Sequence, residues 1–401
     1  MIQMKYANLY IEKYDGKNLL VDFVQESEFI YFRNNGDYLP SMRLGEYEPT
    51  QILFRGIVDL PLKDGDVILF PIEALRKIRR EKIQNRNEIQ RYSTIAFEIE
   101  NGEEYFETFN ASERVKYSKK KALEYHIKTT WEEGSPCSLE HPSGIDELWV
   151  LDVGQGSTNF IFGEGNYLTV FDFGTYTYAS KSQIKDIINN YNRWLISCHT
   201  SLIISHWDCD HYNILTDGDE SLLKNLCCVF VPEKAISLTA KQVIKKLEKN
   251  CRYIVAFSSP QTQKGSRVGM QVIRENANYQ LFIGERSADT NKSGLALAVY
   301  GKNGIAMLSA DHRNSQVWKD MYGKMKSCKG TQELHIVLPH HGANCGRLYK
   351  KLSIHKAGIS AVSVGKNSYN HPNQKTLDYY EGKGFEVKRT DCERKDIIIK
   401  L

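Results

Sequence analysis

The sequence predicts an α+β chain in two parts. Residues 1–131 form a smaller β-rich domain with some helix, and residues 147–401 form a larger domain of two sheets with helices outside them. Two observations predict this. Asp15-Gly16, Asn35-Gly36, Asp64-Gly65 and Asn101-Gly102 each stand between short aromatic or β-branched runs, the strongest local signal for hairpins. Beyond residue 147 the strands come first in hairpins and later alternate with helical patterns, the order expected of two helix-covered sheets. Between the parts, residues 132–146 (EEGSPCSLEHPSGID) read as a linker.

In the first part, Glu73 to Gln90 and Ser112 to Lys128 read as basic helices, the second carrying Lys119-Lys120-Lys121. A charge run of this kind is usually a solvated face; contact with nucleic acid is the other reading. In the second part, Leu148 to Val153 and Tyr167 to Phe173 read as strands. Ser182 to Ile196 reads as a helix with Ile184, Ile187, Ile188, Tyr191 and Leu195 on one face. Leu202-Ile203-Ile204 is a short buried strand, Tyr279 to Ile283 another, and Asn303-Gly304 turns a hairpin between Leu295 and Leu308. An alternation follows: helix near Ser315 to Met325, strand Leu334 to Leu338, helix near Gly346 to Leu352, strand Ile359 to Val364. It ends with a helix near Gln374 to Lys383 and a strand from Phe385 to Lys388. There is no internal repeat and no low-complexity tract.

With 401 residues, 41% hydrophobic and 25% charged, the chain has room for two cores and the composition of a soluble protein. Its longest apolar runs, such as Cys227 to Val231, are too short to span a bilayer, and Met1 to Asp15 lacks the apolar centre of a signal peptide. Nine cysteines, an odd number without a CxxC pair, point to a reducing compartment, most simply the cytoplasm. The net charge of +4 hides an asymmetry. Residues 1–145 carry 20 basic against 24 acidic side chains, and residues 146–401 carry 33 against 25. A basic second half favours anionic substrates such as phosphodiesters, although lysines kept for solubility would give the same count.

The chemistry concentrates in SHWDCDH, Ser205 to His211, which places His206, Asp208, Asp210 and His211 on a loop leaving the strand Leu202-Ile203-Ile204. Imidazole and carboxylate suit Zn, Mn or Fe, and a bound cation removes the repulsion between crowded carboxylates. A polar loop whose His and Asp only cap a helix is the plainer alternative. Other polar groups repeat the strand-end placement. Asp311 ends one strand, His340 and His341 end another, His371 follows a third, and Asp152 and Asp172 lie near the earliest two. Eight of the eleven histidines lie from His206 onward.

Taken with LDVGQG at 151–156, FDFG at 171–174, LSAD at 308–311, LPHHGA at 338–343 and AVSVGKNSYNHP at 361–372, the chain from about residue 148 resembles the metallo-β-lactamase-fold hydrolase domain of the ComEC competence-protein family. The resemblance implies an αββα sandwich with two divalent metal ions, Zn or Mn, at one edge between the sheets. It implies that His206 and Asp208 hold one metal, that Asp210 and His211 hold the second, and that Asp311 bridges them. His341 completes the shell, with His340 and His371 either joining it or contacting the scissile group; Asp172, with Asp152, is a supporting residue. The family's usual histidine between the first motif and Asp311 is missing, which tilts the expected metal toward Mn. Ser157 stands where the family commonly has Asp, Ala343 where it has Ser, and Trp207 and Cys209 replace Pro and Ala. None of these deletes an implied ligand.

Two cations about 3.5–4 Å apart can hold a water and lower its pKa from 15.7 toward about 7. Asp210 or Asp311 would take its proton, and His341 or His371 would donate to the leaving group or clamp a phosphate oxygen. Cys209 has no separate base and is not expected to be a nucleophile. The expected function is therefore a soluble metal-dependent phosphodiesterase, a nuclease acting on DNA or RNA, with a protein partner reached through the first domain. The alternatives are a hydrolase of a small ester, lactone or cyclic nucleotide, and a metal-stabilised sensor or scaffold in a bacterial defence complex. The membrane channel that accompanies this domain in ComEC is absent from the sequence, so DNA uptake is not carried over.

Overall fold

A computed structural model describes residues 6–34, 47–57, 62–84, 95–99, 116–117, 125–130, 144–218, 220–262, 266–287, 290–325, 332–354, 356–365, 367 and 371–401. The chain forms two compact units. One contains Met1–Ile127 with Tyr178–Gln183 and Lys234–Lys246; the other contains Lys128–Thr177, Ile184–Glu233 and Leu247–Leu401.

In the first unit, Tyr6–Tyr14 and Asn18–Phe23 form the hairpin expected at Asp15-Gly16, where Asp15 Oδ1 accepts from the N–H groups of Lys17 and Asn18 at 2.9 and 2.6 Å. Six strands stand in the order Ile95–Ile99, Gln51–Arg55, Asn18–Phe23, Tyr6–Tyr14, Val67–Pro71, Lys116–Tyr117. Asp64-Gly65 is a turn but closes no hairpin, because Val67–Pro71 pairs with Tyr6–Tyr14 and not with Gln51–Arg55. The helix expected from Glu73 runs Ile72–Gln84. Of the helix expected over Ser112 to Lys128, the described residues include two short strands instead: Lys116–Tyr117 pairs with Ile68 and Leu69, and Tyr125–His126 pairs with Lys234–Ala235, while residues 112–115 and 118–124 lie outside the described residues. Pairing with existing strands overrides the modest helical preference of this Lys- and Glu-bearing stretch. Asn35-Gly36, Asn101-Gly102, Lys119-Lys120-Lys121 and residues 132–143 of the linker lie outside the described residues.

Residues from far along the sequence join this unit through a buried carboxylate. Asp22 accepts from Thr50 Oγ1 at 2.6 Å and from the Thr239 N–H at 2.7 Å, in the first turn of the helix Leu238–Asn250. A carboxylate there satisfies an N–H that the helix itself leaves without a partner. Leu238 packs in the same core as Phe23, Phe29 and Phe32.

The second unit holds two seven-stranded sheets built on one plan. The first has the order Ile254–Phe257, Leu226–Pro232, His199–Ile203, Tyr167–Phe173, Thr158–Gly163, Ile145–Val150, Ile397–Lys400. The second has the order Met270–Glu275, Tyr279–Gly284, Leu295–Tyr300, Gly304–Leu308, Glu333–Val337, Ala357–Val362, Glu386–Arg389. Each begins with antiparallel hairpins and continues with parallel strands. Strand parity shows how they stack. Leu281, Ile283, Leu297 and Leu308 share one core with Val150, Ile203 and Phe230 of the first sheet. Their neighbours Phe282, Ala298 and Met307 point the other way, to Trp318 of Gln316–Met321 and to Leu377 and Tyr380 of Gln374–Glu381. Such strands are apolar on both faces, which is why they read as continuous runs and not as alternation. On the outer face of the first sheet, Leu195 of Lys181–Ser197 meets Val170 and Leu202, and Tyr191 meets Phe160 ring to ring at 5.6 Å. Helix, sheet, sheet and helix follow one another, so the expected αββα sandwich is the fold.

Two local expectations change. The first strand starts at Ile145 and ends at Val150, because its register is set by Thr158–Gly163 and by the terminal strand Ile397–Lys400. Residues 346–352 are irregular, with Tyr349 and Leu352 anchored against the outer core of the second sheet. Among the described residues no helix is long and apolar enough to cross a membrane.

Candidate metal centre

The strand His199–Ile203 delivers the chain to Ser205, and Cys209–His211 forms a single 3-10 turn, closed by the His211 N–H donating to the Asp208 carbonyl at 3.0 Å. Two earlier loops hold this turn. The Ser157 N–H donates to the Asp210 carbonyl at 2.9 Å, and the Gly174 N–H donates to the Ser157 carbonyl at 2.9 Å. GQGS, FDFG and SHWDCDH are thus laced by their main chains.

Asp172 is the organiser. It interrupts the register of its strand with φ +59 and is fully buried. Its Oδ1 accepts from the Ser205 N–H at 2.7 Å; its Oδ2 accepts from Ser205 Oγ at 3.0 Å, Ser157 Oγ at 3.1 Å and His211 Nδ1 at 2.8 Å. Because the Ser205 hydroxyl donates to Asp172, His206 Nδ1, 2.9 Å from that oxygen, must be the donor to it. His341 Nδ1 likewise donates to the Ser363 carbonyl at 2.9 Å. In the neutral form that a metal would bind, all three rings spend Nδ1–H on the protein and turn an Nε2 lone pair inward.

Those three Nε2 atoms are buried and make no hydrogen bond. Around them stand carboxylates. His211 Nε2 is 3.3 Å from Asp311 Oδ1, His206 Nε2 is 3.8 Å from Asp311 Oδ2 and 3.4 Å from Asp208 Oδ2, and His341 Nε2 is 3.5 Å from Asp210 Oδ2. Donors about 2.0–2.1 Å from a tetrahedral ion stand about 3.3 Å apart, so most of these spacings suit shared coordination better than direct hydrogen bonds. Two groups bring one donor atom per residue within 4.8 Å of one another: His206, His211 and Asp311, and Asp210, His211 and His341. The residues present fit a divalent metal, and His211 belongs to both groups. Asp208 joins through His206, and its Oδ1 also accepts from Thr290 Oγ1 at 3.3 Å.

The downstream candidate ligands sit on strained turns. Asp311 follows Gly304–Leu308 and Ala310 at φ +45; His340 and His341, at φ +49 and +51, follow Glu333–Val337. Left-handed non-glycine residues cost about 1–3 kcal/mol each and persist where surrounding contacts enforce them. Here the His340 N–H donates to the Ala310 carbonyl at 3.0 Å, locking the two turns together. His340 Nε2 lies 3.4 Å from Asp311 Oδ2, outside both three-donor groups, and His371 stands with its ring 5.5 Å from that of His340. Asp152 does not join the cage. Its N–H donates to Asp396 Oδ1 at 2.8 Å, and burial, then the nearby Asp396, raises its carboxyl above the usual range.

The cage is strongly polarised. Burial alone would push His211 down, but Asp172 and Asp311 hold its pKa well above the ordinary value. Burial alone would push Asp311 up, but His340, His211 and His206 hold it well below the carboxylate range. Ser205, Ser363 and Thr290 were not identifiable as site residues from sequence. Ser205, inside SHWDCDH, and Ser363, inside AVSVGKNSYNHP, at least lie within motifs the sequence displays; Thr290 arrives from a distant loop.

Asp172→Asn should weaken metal binding about 10–100-fold, the range for losing a second partner of a ligating imidazole. Oδ1 faces the Ser205 N–H and Oδ2 faces His211 Nδ1–H, so an amide nitrogen there meets an N–H whichever way it turns. Competition against a chromophoric chelator measures the affinity; a wild-type value would mean that His211 is oriented by something else.

No family model matches the chain, and no curated protein matches it. Solved structures do. Tm1679, described as a metal-dependent hydrolase of the β-lactamase superfamily, is 10% identical over 64% of this chain and 99% of its own, with a TM-score of 0.36. The metallo-β-lactamase fold protein YhfI from Bacillus subtilis is 10% identical over 64% of this chain and 100% of its own, with a TM-score of 0.36. Zn(2+)-bound PqqB from Methylobacterium extorquens is 9% identical over 63% and 100%, with a TM-score of 0.37.

Proposed function

We propose that this chain is a metal-dependent hydrolase of phosphodiesters, with DNA or RNA as its substrate. The observation that carries the reading is the convergence of three hydrogen-bond-free Nε2 atoms with the carboxylates of Asp208, Asp210 and Asp311. His206, Asp208 and Asp311 would hold one ion and Asp210, His211 and His341 the other, with Asp311 facing both. Bound there, divalent ions supply a water that ionises near neutral pH and charge stabilisation for a leaving oxygen.

The chain's own groups do the rest. Asp210 and Asp311 are placed to accept a proton from a water in the cage. His340 and His371, at its more exposed side, can donate to a phosphoryl or leaving oxygen. The basic balance of residues 146–401, 33 against 25, favours an anionic substrate over a neutral ester or lactone.

Purified full-length protein loaded with Mn or Zn should cleave DNA or RNA, and Asp210→Ala and His211→Ala should not. A panel of single- and double-stranded nucleic acids, a cyclic nucleotide, an ester and a lactone at matched metal content tests this. Turnover of only the neutral substrates overturns the phosphodiester reading. Metal-loaded protein without turnover of any substrate points instead to a structural centre in a larger assembly.

A further inference from the structure

The loop that follows Ala357–Val362 is tied down by contacts that neither the metal donors nor the fold requires. Asn367 Oδ1 accepts from the His371 N–H at 3.1 Å, and Asn367 Nδ2 lies 2.8 Å from the His371 carbonyl, 2.9 Å from the Gly365 carbonyl and 3.1 Å from Gln155 Oε1. Gln155 Oε1, on a buried side chain of the GQGS loop, also accepts from the Gly365 N–H at 3.3 Å. The two loops are in backbone contact, since a Cβ on Gly365 would fall 2.7 Å from Gly154 Cα. One amide thus grips both main-chain polar groups of His371, and a second anchors that amide to the loop that also binds the Asp210 carbonyl through Ser157. Holding the backbone of His371 sets where its ring stands, edge to face with His340, whose Nε2 faces Asp311.

We propose that Gln155 and Asn367 are positioning residues that hold His371 beside His340, so that two imidazoles meet one phosphoryl oxygen at the open side of the cage. The choice of a phosphoryl ligand rests on the reading given under Proposed function; the positioning role rests on the contacts above. Without these contacts the ring would be free to sample many orientations, and that ordering cost would fall on ligand binding.

The test is a double-variant cycle on the full chain loaded with metal. Isothermal titration with inorganic phosphate reads binding, turnover of bis(p-nitrophenyl) phosphate reads chemistry, and elemental analysis reads metal content. His371→Ala should weaken phosphate binding about tenfold, the scale of one charge-assisted hydrogen bond. Asn367→Ala and Gln155→Leu should each reproduce a several-fold part of that loss with metal content unchanged. In the His371→Ala background, adding Asn367→Ala should cost nothing further, because a residue acting through another loses its effect when that other is gone. Asn367→Asp, which keeps the acceptor for the His371 N–H, should lie between wild type and Asn367→Ala and covers the case in which the alanine variant fails to fold.

An equal further loss in the His371→Ala background, or a fall in bound metal, overturns the proposal. Coupling in phosphate binding without turnover of any phosphodiester leaves the positioning intact and removes the function proposed above. Turnover with additive variants does the reverse.

Discussion

Asp311→Asn is expected to lose bound metal and to lower hydrolysis by about a hundredfold to ten-thousandfold, corresponding to the 3–5 kcal/mol of stranding a buried charge partner. Asparagine keeps the volume and one oxygen, so packing is preserved and the effect isolates the charge. Asp311 is 5% exposed and presents one oxygen to His211 and the other to both His206 and His340. No other carboxylate faces three imidazoles among the described residues. Without its charge, the inward Nε2 of His211 loses its nearest anion and that of His206 its second nearest, and a cation held there loses a charged donor. Thermal unfolding supplies a control that does not depend on turnover. A metal at a hundred times its Kd stabilises the native chain by about 2.7 kcal/mol per site, so a chelator should lower the Tm of the wild type and leave that of Asp311→Asn nearly unmoved. Full metal content in the variant would mean that Asp311 lies outside the centre.

How far the site can be read from sequence depends on whether its groups are local. His206, Asp208, Asp210 and His211 lie within six residues and announce themselves. Asp311, His340 and His341 are found because a strand ends before each, and parallel strands gather their ends on one edge. The interlocking of their left-handed turns is not visible until the Ala310 carbonyl meets the His340 N–H. Asp152 shows the limit of that logic. It too follows a strand, yet its main-chain N–H goes to Asp396 and it belongs to neither three-donor group. The apolar runs Tyr279 to Ile283 and Leu295 to Val299 reveal strands, but only the structure assigns alternate residues to the inner and outer cores. Lys116–Tyr117 and Tyr125–His126 depart from expectation for the opposite reason: their conformation is decided by the strands they pair with, at Ile68 and Lys234, far away in sequence.

Gly174→Ala is the expected large effect that involves no ligand at all. A Cβ at Gly174 would lie 2.1 Å from the Asp210 carbonyl oxygen, 2.3 Å from its carbon and 2.6 Å from the His211 Cα. These are main-chain atoms, which cannot rotate out of the way as a side chain would. Relief requires the metal loop or the end of Tyr167–Phe173 to move by more than 1 Å. The strand end is itself pinned, since the Gly174 N–H donates to the Ser157 carbonyl and to Thr158 Oγ1 at 2.9 and 3.1 Å. Overpacking of this kind costs about 1–3 kcal/mol or more, and a displacement near 1 Å at a reacting centre can cost about a hundredfold in rate. Both losses should appear together, as a lower Tm and as weakened metal binding. Gly323→Ala is the matched control. Nothing lies within 4 Å of its Cβ position in the helix Tyr322–Lys324, where alanine is the better helix former by about 1 kcal/mol. Calorimetry and elemental analysis on the two variants therefore separate the general effect of a methyl group from its effect at this contact. If Gly174→Ala keeps the Tm and metal of the wild type, the three laced loops do not approach as closely as their hydrogen bonds require, and the cage must be assembled in some other way.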